Sequence, residues 1–339
     1  MEGRQENMSG LSAADFKELC IEAGASDYGL LYPEDIDTSY LRKRYSDWLL
    51  SGNEGTVQYI DNRLDILCDP FGARPHAKCA LVIAFPAKED SNSPLLELPP
   101  AKPDAISASI AGYAMEEDYH ITGQRLLEKI SSRLGVWSEP CVDAKPVPEK
   151  EFALLAKIGE RGLNTLTRLP GLGCQMYLGI LFLGERFPQN PAKIANVPDK
   201  CCGCGCCIRQ CPNGALDGKG SINVRKCRSW LAGQKRGPLT KEEQLALQGT
   251  LFGCSVCSNC CPDATVHIQD YLVDAMDVFR MQTAQLRRII KGTALEHSGT
   301  TLLKRNAAAI LCSQSPALAP QLLAMTDSPA IQDSIKAWL

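Results

Sequence analysis

The sequence predicts an α+β chain in three successive parts: an α/β unit over residues 1–190, a compact cysteine-rich module over 191–270, and a helical tail over 271–339. Three observations predict it. Two short apolar runs, 79–86 and 175–184, stand among segments of helical spacing in the first part. Eleven of the seventeen cysteines fall between Cys201 and Cys261. Beyond them the apolar residues recur at helical intervals among basic ones.

The first element is a helix over 12–23. Ser12 and Asp15 have the spacing of a capping box, with Asp in place of Glu. Phe16, Leu19, Cys20 and Ala23 share a face, and Gly24 suits the position after the last turn. Cys20 is then a core residue. CALVIAFP at 79–86 is apolar and partly β-branched, a buried strand ended by Pro86. The polar, proline-rich stretch 88–104 predicts a surface loop. Residues 118–134 return to helical spacing through Ile121, Leu126, Leu127, Ile130 and Leu134. QMYLGILFLG at 175–184 predicts a second buried strand. Pro188, Pro191 and Pro198 mark a linker.

The cysteines follow. Cys201, Cys204, Cys207 and Cys211 are spaced x2, x2, x3, and Pro212 follows. Cys254, Cys257 and Cys261 are spaced x2, x3, and Pro262 follows. Cys227 stands alone between the runs. A [4Fe–4S] cluster takes four thiolates, and these eight supply two clusters. In such modules the cysteine before proline ligates the other cluster. Cluster one then takes Cys201, Cys204, Cys207 and Cys261; cluster two takes Cys211, Cys227, Cys254 and Cys257. Cys202, Cys206 and Cys260 each adjoin a ligand, so the register is not forced by spacing alone. Zinc fits poorly, because its four-ligand sites usually close with two CxxC pairs. Disulfides fit worse in so tight a cluster.

After Cys261 the chain is expected to turn helical. Arg280, Arg287, Arg288, Lys291, Lys304 and Arg305 make this stretch locally basic. Helix-sized segments lie near 302–312 and 317–325. In the last helix Ser328 caps, Pro329 starts the first turn, and Ile331, Ile335, Trp338 and Leu339 share a face.

Bulk composition narrows the classes. Hydrophobic residues are 45% and charged residues 22%, ordinary for a globular chain. The net charge of −3 gives no global nucleic-acid signature. MEGRQENMSG has no apolar core for a signal peptide, and the longest apolar run is far short of the ~20 residues a membrane helix needs. The expectation is a cytoplasmic protein in a reducing compartment, with no membrane partner.

Several segments, taken in order, resemble the epoxyqueuosine reductase family of tRNA queuosine biosynthesis. YAMEEDYH (113–120) is similar to the family's Tyr-Ala…Asp-Tyr-His. CVDAKPVPEK (141–150) is similar to its Val-Asp-x-x-Pro with a following glutamate. IGERGLNTL (158–166) is similar to its Gly-rich LGWxGKNTL, and FGCSVCSNCCP (252–262) to its YGCDDCQxxCP. RKCRSWL (225–231) carries the lone cysteine. TTLLKRNAAAIL (300–311) resembles the family's HEAT-like helical tail.

The resemblance implies base-off cobalamin held between the α/β unit and a ferredoxin-like double [4Fe–4S] module. It implies Asp143 as catalytic proton donor. Tyr113, His120, Asn164, Thr165 and Ser229 become cofactor contacts. A tRNA anticodon stem-loop would be the substrate, flavodoxin or ferredoxin the electron donor, and the protein a monomer. An ordinary Asp, with a pKa near 3.9, donates poorly at neutral pH, so desolvation would have to raise it. Spacing alone reads Asp143 as a turn residue before Pro146, and the basic tail as a solvated surface.

Asp118-x-His120-x-x-Gly123 also matches a motif by which some corrinoid proteins ligate cobalt through histidine. The later elements of that motif are missing, so His120 is read as pocket-lining or structural. The chain departs from the family at Glu160 (a tryptophan there), Leu163 (a lysine), and Ser255 and Val256 (both acidic). Two other classes stay open: a corrinoid reductase of a small molecule, favoured by those departures, and an iron–sulfur electron carrier. The roughly 190 residues before the clusters exceed what a carrier needs.

Overall fold

The structure is a computed structural model that describes residues 11–55, 60–87, 98–169, 172–188, 201–264 and 267–339. Most of the 88–104 loop and the linker prolines Pro191 and Pro198 lie outside the described residues. Nine strands are described: β1 (Asp27–Leu31), β2 (Cys79–Pro86), β3 (Ser107–Ile110), β4 (Ser138–Cys141), β5 (Glu160–Arg161), β6 (Thr167–Arg168), β7 (Met176–Leu183), β8 (Thr250–Phe252) and β9 (Tyr271–Asp274).

The first sheet runs β1-β2-β7-β4, with every neighbour antiparallel. Alternation along β2 explains its unbroken apolar run. Cys79, Leu81, Ile83 and Phe85 face a layer containing helices Ala13–Ala23 and Tyr119–Leu134. Ala80, Val82 and Ala84 face the opposite layer, with Phe152 and Ala153 of helix Glu149–Leu155. Side chains alternate across a strand, so one covered on both sides must be apolar at every position.

The first helix, Ala13–Ala23, has the predicted cap. Ser12 Oγ accepts from the Asp15 N–H at 3.2 Å, and Asp15 accepts from the Ser12 N–H at 3.0 Å. Gly24 closes the helix at φ +113°. Helix Tyr119–Leu134 buries Leu126, Leu127, Ile130 and Leu134, but Ile121 is 41% exposed. Ile121 lies nine residues before Ile130, about two and a half turns, so it points away from the sheet.

The second sheet, β8-β3-β9, draws one strand from each of the three parts. β3 from the first part pairs in parallel with β8 from the cysteine module and antiparallel with β9 from the tail. Ile110, Leu251 and Val273 then share one core with Val278, Leu303, Ile310 and Leu311. β9 also corrects the expectation that the chain turns directly helical after Cys261.

In the tail, helix Gly299–Gln314 is buried along most of its length. Arg305 is 1% exposed and donates to the carbonyls of Leu231, Lys235 and Gly237 and to Asn306 Oδ1. Burial pulls its pKa down to about 10. The six basic residues therefore do not form one face: Arg305 is a buried strut, whereas Arg280, Arg287, Arg288 and Lys291 are exposed. In helix Pro329–Lys336, Ser328 holds the cap position without a side-chain bond. Ile331 and Ile335 are buried, but Leu339, beyond the helix end, is exposed. Among the described residues no helix is long and apolar enough to cross a membrane.

Candidate functional site

The thiols occupy two neighbourhoods. Cys201, Cys202, Cys204, Cys206, Cys207 and Cys261 line one recess with Asn164, Arg168 and Cys174. In the other, burial pushes the Cys257 thiol up, with Cys254, Cys227, Cys174 and Cys211 around it. Several sulfurs meet donors. The Ala215 N–H reaches Cys211 Sγ at 3.2 Å, and Arg228 reaches Cys254 Sγ at 3.3 Å. Backbone groups of Trp230 and Ser229 face the Cys227 sulfur. Burial without a metal favours the neutral thiol. N–H donors aimed at sulfur favour thiolate, the form a cluster needs. The donor set therefore fits iron–sulfur chemistry. Cys206 and Cys260 lie beside one another, and Cys260 Sγ reaches the Cys257 carbonyl at 3.8 Å.

The β5–β6 hairpin buttresses these thiols. Asn164 is buried: its amide donates to the Cys257 carbonyl at 2.9 Å and approaches Cys174 Sγ at 3.4 Å. Asn164 Oδ1 accepts from the Leu166 N–H. Thr165 turns the hairpin at φ +66°. Glu160, one of the departures, pairs with Arg168, which also reaches Asp263 beside Cys261. Ser255, another departure, is buried beside Asp270.

Against the second thiol group lies a tyrosine floor. Tyr113, on the short helix Gly112–Met115, lies beside Ser229; burial pushes its phenol up to about 12, and Cys254 and Cys227 add to the shift. Gly253 permits this approach, because a Cβ there would fall 2.8 Å from the Tyr113 hydroxyl. Tyr119 stacks on Tyr177 of β7, ring centroids 4.3 Å apart and planes 2° apart. Burial also raises the Tyr119 and Tyr177 phenols. All three tyrosines are partly reachable by solvent yet ringed by protein, as on the floor of a cleft.

Asp143 stands at one edge, exposed, with φ +45°. The Tyr119 hydroxyl donates to Asp143 Oδ2 at 2.6 Å. The Asp143 N–H donates to Glu149 Oε1 at 2.6 Å. Burial, then the nearby Asp143 charge, pushes Glu149 up to about 8. Lys150 beside it is pulled down, chiefly by burial, though its side chain still meets solvent. His120 Nδ1 lies 2.7 Å from Asp118 Oδ1. Burial pulls the His120 pKa down, but its Asp118 bond and charge outweigh this and the net shift is upward. Gly123, which completed the cobalt-ligand motif, has a packing reason: a Cβ there would lie 2.7 Å from the Phe85 ring.

The structure thus brings Tyr113, Ser229, His120 and Asp143 to one cleft, and sets Asn164 and Thr165 behind the thiols. Sequence reading missed Tyr119, Tyr177, Glu149 and Lys150 as members of that cleft. Tyr119 and Glu149 lay inside the quoted motifs. Tyr177 carried no signal, being read as a strand residue.

Residues 200–264 match the family model described as the 4Fe-4S double cluster binding domain. The cysteine module is an iron–sulfur domain. Over the whole chain there is similarity to the epoxyqueuosine reductase of Vibrio cholerae, 25% identical over 311 residues, covering 87% of this chain and 81% of that one. The solved epoxyqueuosine reductase of Streptococcus thermophilus matches with a TM-score of 0.80 at 21% identity, over 95% of this chain and 88% of that one. An epoxyqueuosine reductase solved with an epoxyqueuosine-modified tRNA-Tyr stem loop matches at 0.74 and 19% identity, over 96% and 97%. These two likenesses establish the fold.

Proposed function

Because the chain belongs to the epoxyqueuosine reductase family, we propose that it reduces epoxyqueuosine to queuosine in the anticodon loop of tRNA. One observation carries the reading. Tyr113 joins the two halves of the site, with Ser229, Cys227 and Cys254 on one side and the Tyr119–Asp143 pair and Tyr177 on the other. A thiol-rich electron store and a proton-donating cleft then share one wall.

Cys201, Cys204, Cys207 and Cys261 would hold one [4Fe–4S] cluster, and Cys211, Cys227, Cys254 and Cys257 the other. The half-buried tyrosines Tyr113, Tyr119 and Tyr177 offer aromatic surface of the kind a flat macrocycle packs on. Tyr113, Tyr119, Tyr177 and Ser229 would hold cobalamin there, with His120 lining the edge. When bound, the clusters supply single electrons and the corrinoid a strongly reducing centre for carbon–oxygen cleavage.

The chain supplies the protons. Loss of the epoxide oxygen as water takes two electrons and two protons. Asp143 is the exposed carboxyl at the cleft and the proton donor. Its Oδ2 is held by the Tyr119 hydroxyl, so the other oxygen is left to face substrate. Glu149, protonated below about pH 8, is the second acid of the cleft. Asp143 at the surface and Glu149, its pKa raised by burial, are two carboxyls in reach of one another that can supply the two protons. Exposed Arg280, Arg287, Arg288 and Lys291 supply positive charge for RNA phosphates. A flavodoxin or ferredoxin would reduce the clusters.

The test is direct. Protein purified without oxygen and reconstituted with iron, sulfide and cobalamin is incubated with reductant and tRNA containing epoxyqueuosine, and the nucleosides are weighed by mass spectrometry. Loss of one oxygen from the modified base is expected. Intact base, in protein carrying both clusters and cobalt, would overturn the reading.

A further inference from the structure

We infer that His297, in the tail, is a positioning residue for the Asp143 loop and acts through Asp118 and His120. The inference rests on Asp143 being the proton donor. The loop is anchored at its ends by buried Cys141, Val142, Val147 and Pro148, and Lys145 pairs with Glu139 at 3.0 Å, but its tip is open. Asp143, Ala144 and Lys145 are exposed. One side of the loop borders a surface cavity of about 440 Å³ lined by His120, Val142, Ala144 and Lys145 among others. Asp143 also sits at positive φ, which a non-glycine residue adopts only at a cost. Polar tethers must therefore set its place.

Three tethers reach it, two of them local to the cleft: the Tyr119 hydroxyl on its carboxylate and Glu149 on its N–H. The third is a chain. The His120 ring stacks on the Tyr119 ring, centroids 4.1 Å apart, and so backs the hydroxyl that holds Asp143. His120 Nδ1 lies 2.7 Å from Asp118 Oδ1, and Asp118 Oδ2 lies 2.5 Å from His297 Nε2. Asp118 is 5% exposed and caps the helix that carries Tyr119 and His120. One buried carboxylate so bridges two imidazoles. The His297 side chain is 60% exposed, so packing alone does not explain its orientation. The tail is fastened to the same point by the backbone as well, because the Asp118 N–H donates to the Gly292 carbonyl at 2.9 Å.

A histidine that orients another through a carboxylate fixes which ring nitrogen carries the proton and where the ring points. Here that ring packs on Tyr119, whose hydroxyl holds the acid. His297 touches neither the cleft floor nor Asp143, so its loss should act on the rate step and not on substrate capture.

The test compares His297→Ala, His297→Gln and His120→Asn in holoprotein. Glutamine keeps an N–H near the place of Nε2; asparagine at 120 can still meet Asp118 but has no ring to stack on Tyr119. Amide hydrogen exchange across 141–148 should quicken about tenfold in His297→Ala and His120→Asn, the scale of one lost hydrogen bond. It should return toward wild type in His297→Gln, with β2 unchanged in all three. On epoxyqueuosine tRNA, His297→Ala should lower kcat by a similar factor and leave KM alone. Unchanged exchange at 141–148 in both loss variants overturns the inference, whatever the tRNA assay shows. Faster exchange confined to that loop supports it even if the wild type leaves epoxyqueuosine intact, an outcome that would sink the proposed reaction alone.

Discussion

The cysteine module and the Asp143 loop lie on the same cleft but are held in opposite ways. In the module, thiols two or three residues apart are folded together by short helices such as Cys206–Gln210 and Val256–Asn259, with Asn164 bracing them from behind. The organising distances are local in sequence. The loop instead depends on side chains from other elements: Tyr119 lies 24 residues away, and the chain through Asp118 reaches His297, 179 residues from Asp118. The difference teaches that the electron-carrying half is encoded by spacing and the proton-carrying half by tertiary structure. Local encoding tolerates little change at the ligands; distributed encoding should fail by degrees.

The largest break should come at a ligand. Cys257→Ser is expected to remove about four irons per chain, since one cluster loses a thiolate, and to lower turnover below detection. Cys260→Ser, one residue before a ligand, should keep both clusters. Iron analysis and electron paramagnetic resonance of the reduced proteins read the outcome. Equal iron loss in the two variants would show that the register is not the one given by Pro212 and Pro262.

Asp143→Asn comes next. It keeps the loop's shape and an acceptor for the Tyr119 hydroxyl but removes the transferable proton. Turnover should fall by about 10²–10³, within the range for a lost general acid, with iron and cobalt content unchanged. A fall of only a few-fold would move the proton donor elsewhere in the cleft.

Glu149 has a smaller, pH-dependent part. Its folded pKa is raised to about 8, first by burial and then by the Asp143 charge, so it is protonated at neutral pH and ionises as pH rises through 8. Turnover should fall on that alkaline side. Glu149→Gln cannot ionise, so the limb near pH 8 should vanish while turnover at pH 7 drops a few-fold. Sign and direction also hold for folding: a carboxyl whose pKa is raised in the folded state contributes least once pH exceeds that value. An unaltered alkaline limb in Glu149→Gln would assign it to another group.

The same contrast marks what could be read from the chain. Ser12 and Asp15 announced the first helix because a cap is a local event. The run 79–86 announced β2 because burial on both faces leaves no polar position. Cys201 to Cys261 announced the clusters by spacing. Ser107–Ile110 announced nothing: its partners lie more than a hundred residues on, and only the folded sheet shows that the three parts share a core. Glu149 was visible as a letter in a motif, but its bond to the Asp143 N–H was not. Arg305 shows the limit most plainly. Its charge suggested an exposed cationic face, whereas three backbone carbonyls left open by the turn around 231–237 draw it inside.

That last distinction yields the smallest effect and separates surface charge from structural charge. Arg287 and Arg288 lie on exposed positions of helix Thr283–Ile290, whose Leu286, Ile289 and Ile290 face the core. Replacing both with alanine should leave the melting temperature within a degree or two, as surface substitutions usually do. It should weaken tRNA binding a few-fold and flatten the salt dependence by roughly one unit of log–log slope for each phosphate no longer neutralised. Arg305→Ala should do the reverse: a clear loss of thermal stability from unpaired buried carbonyls, with the salt slope of the surviving folded protein unchanged. Filter binding from low to moderate salt, beside a thermal melt, measures both. An unchanged slope in the Arg287/Arg288 variant would mean that RNA meets another face, and would leave the tail tied to catalysis only through His297.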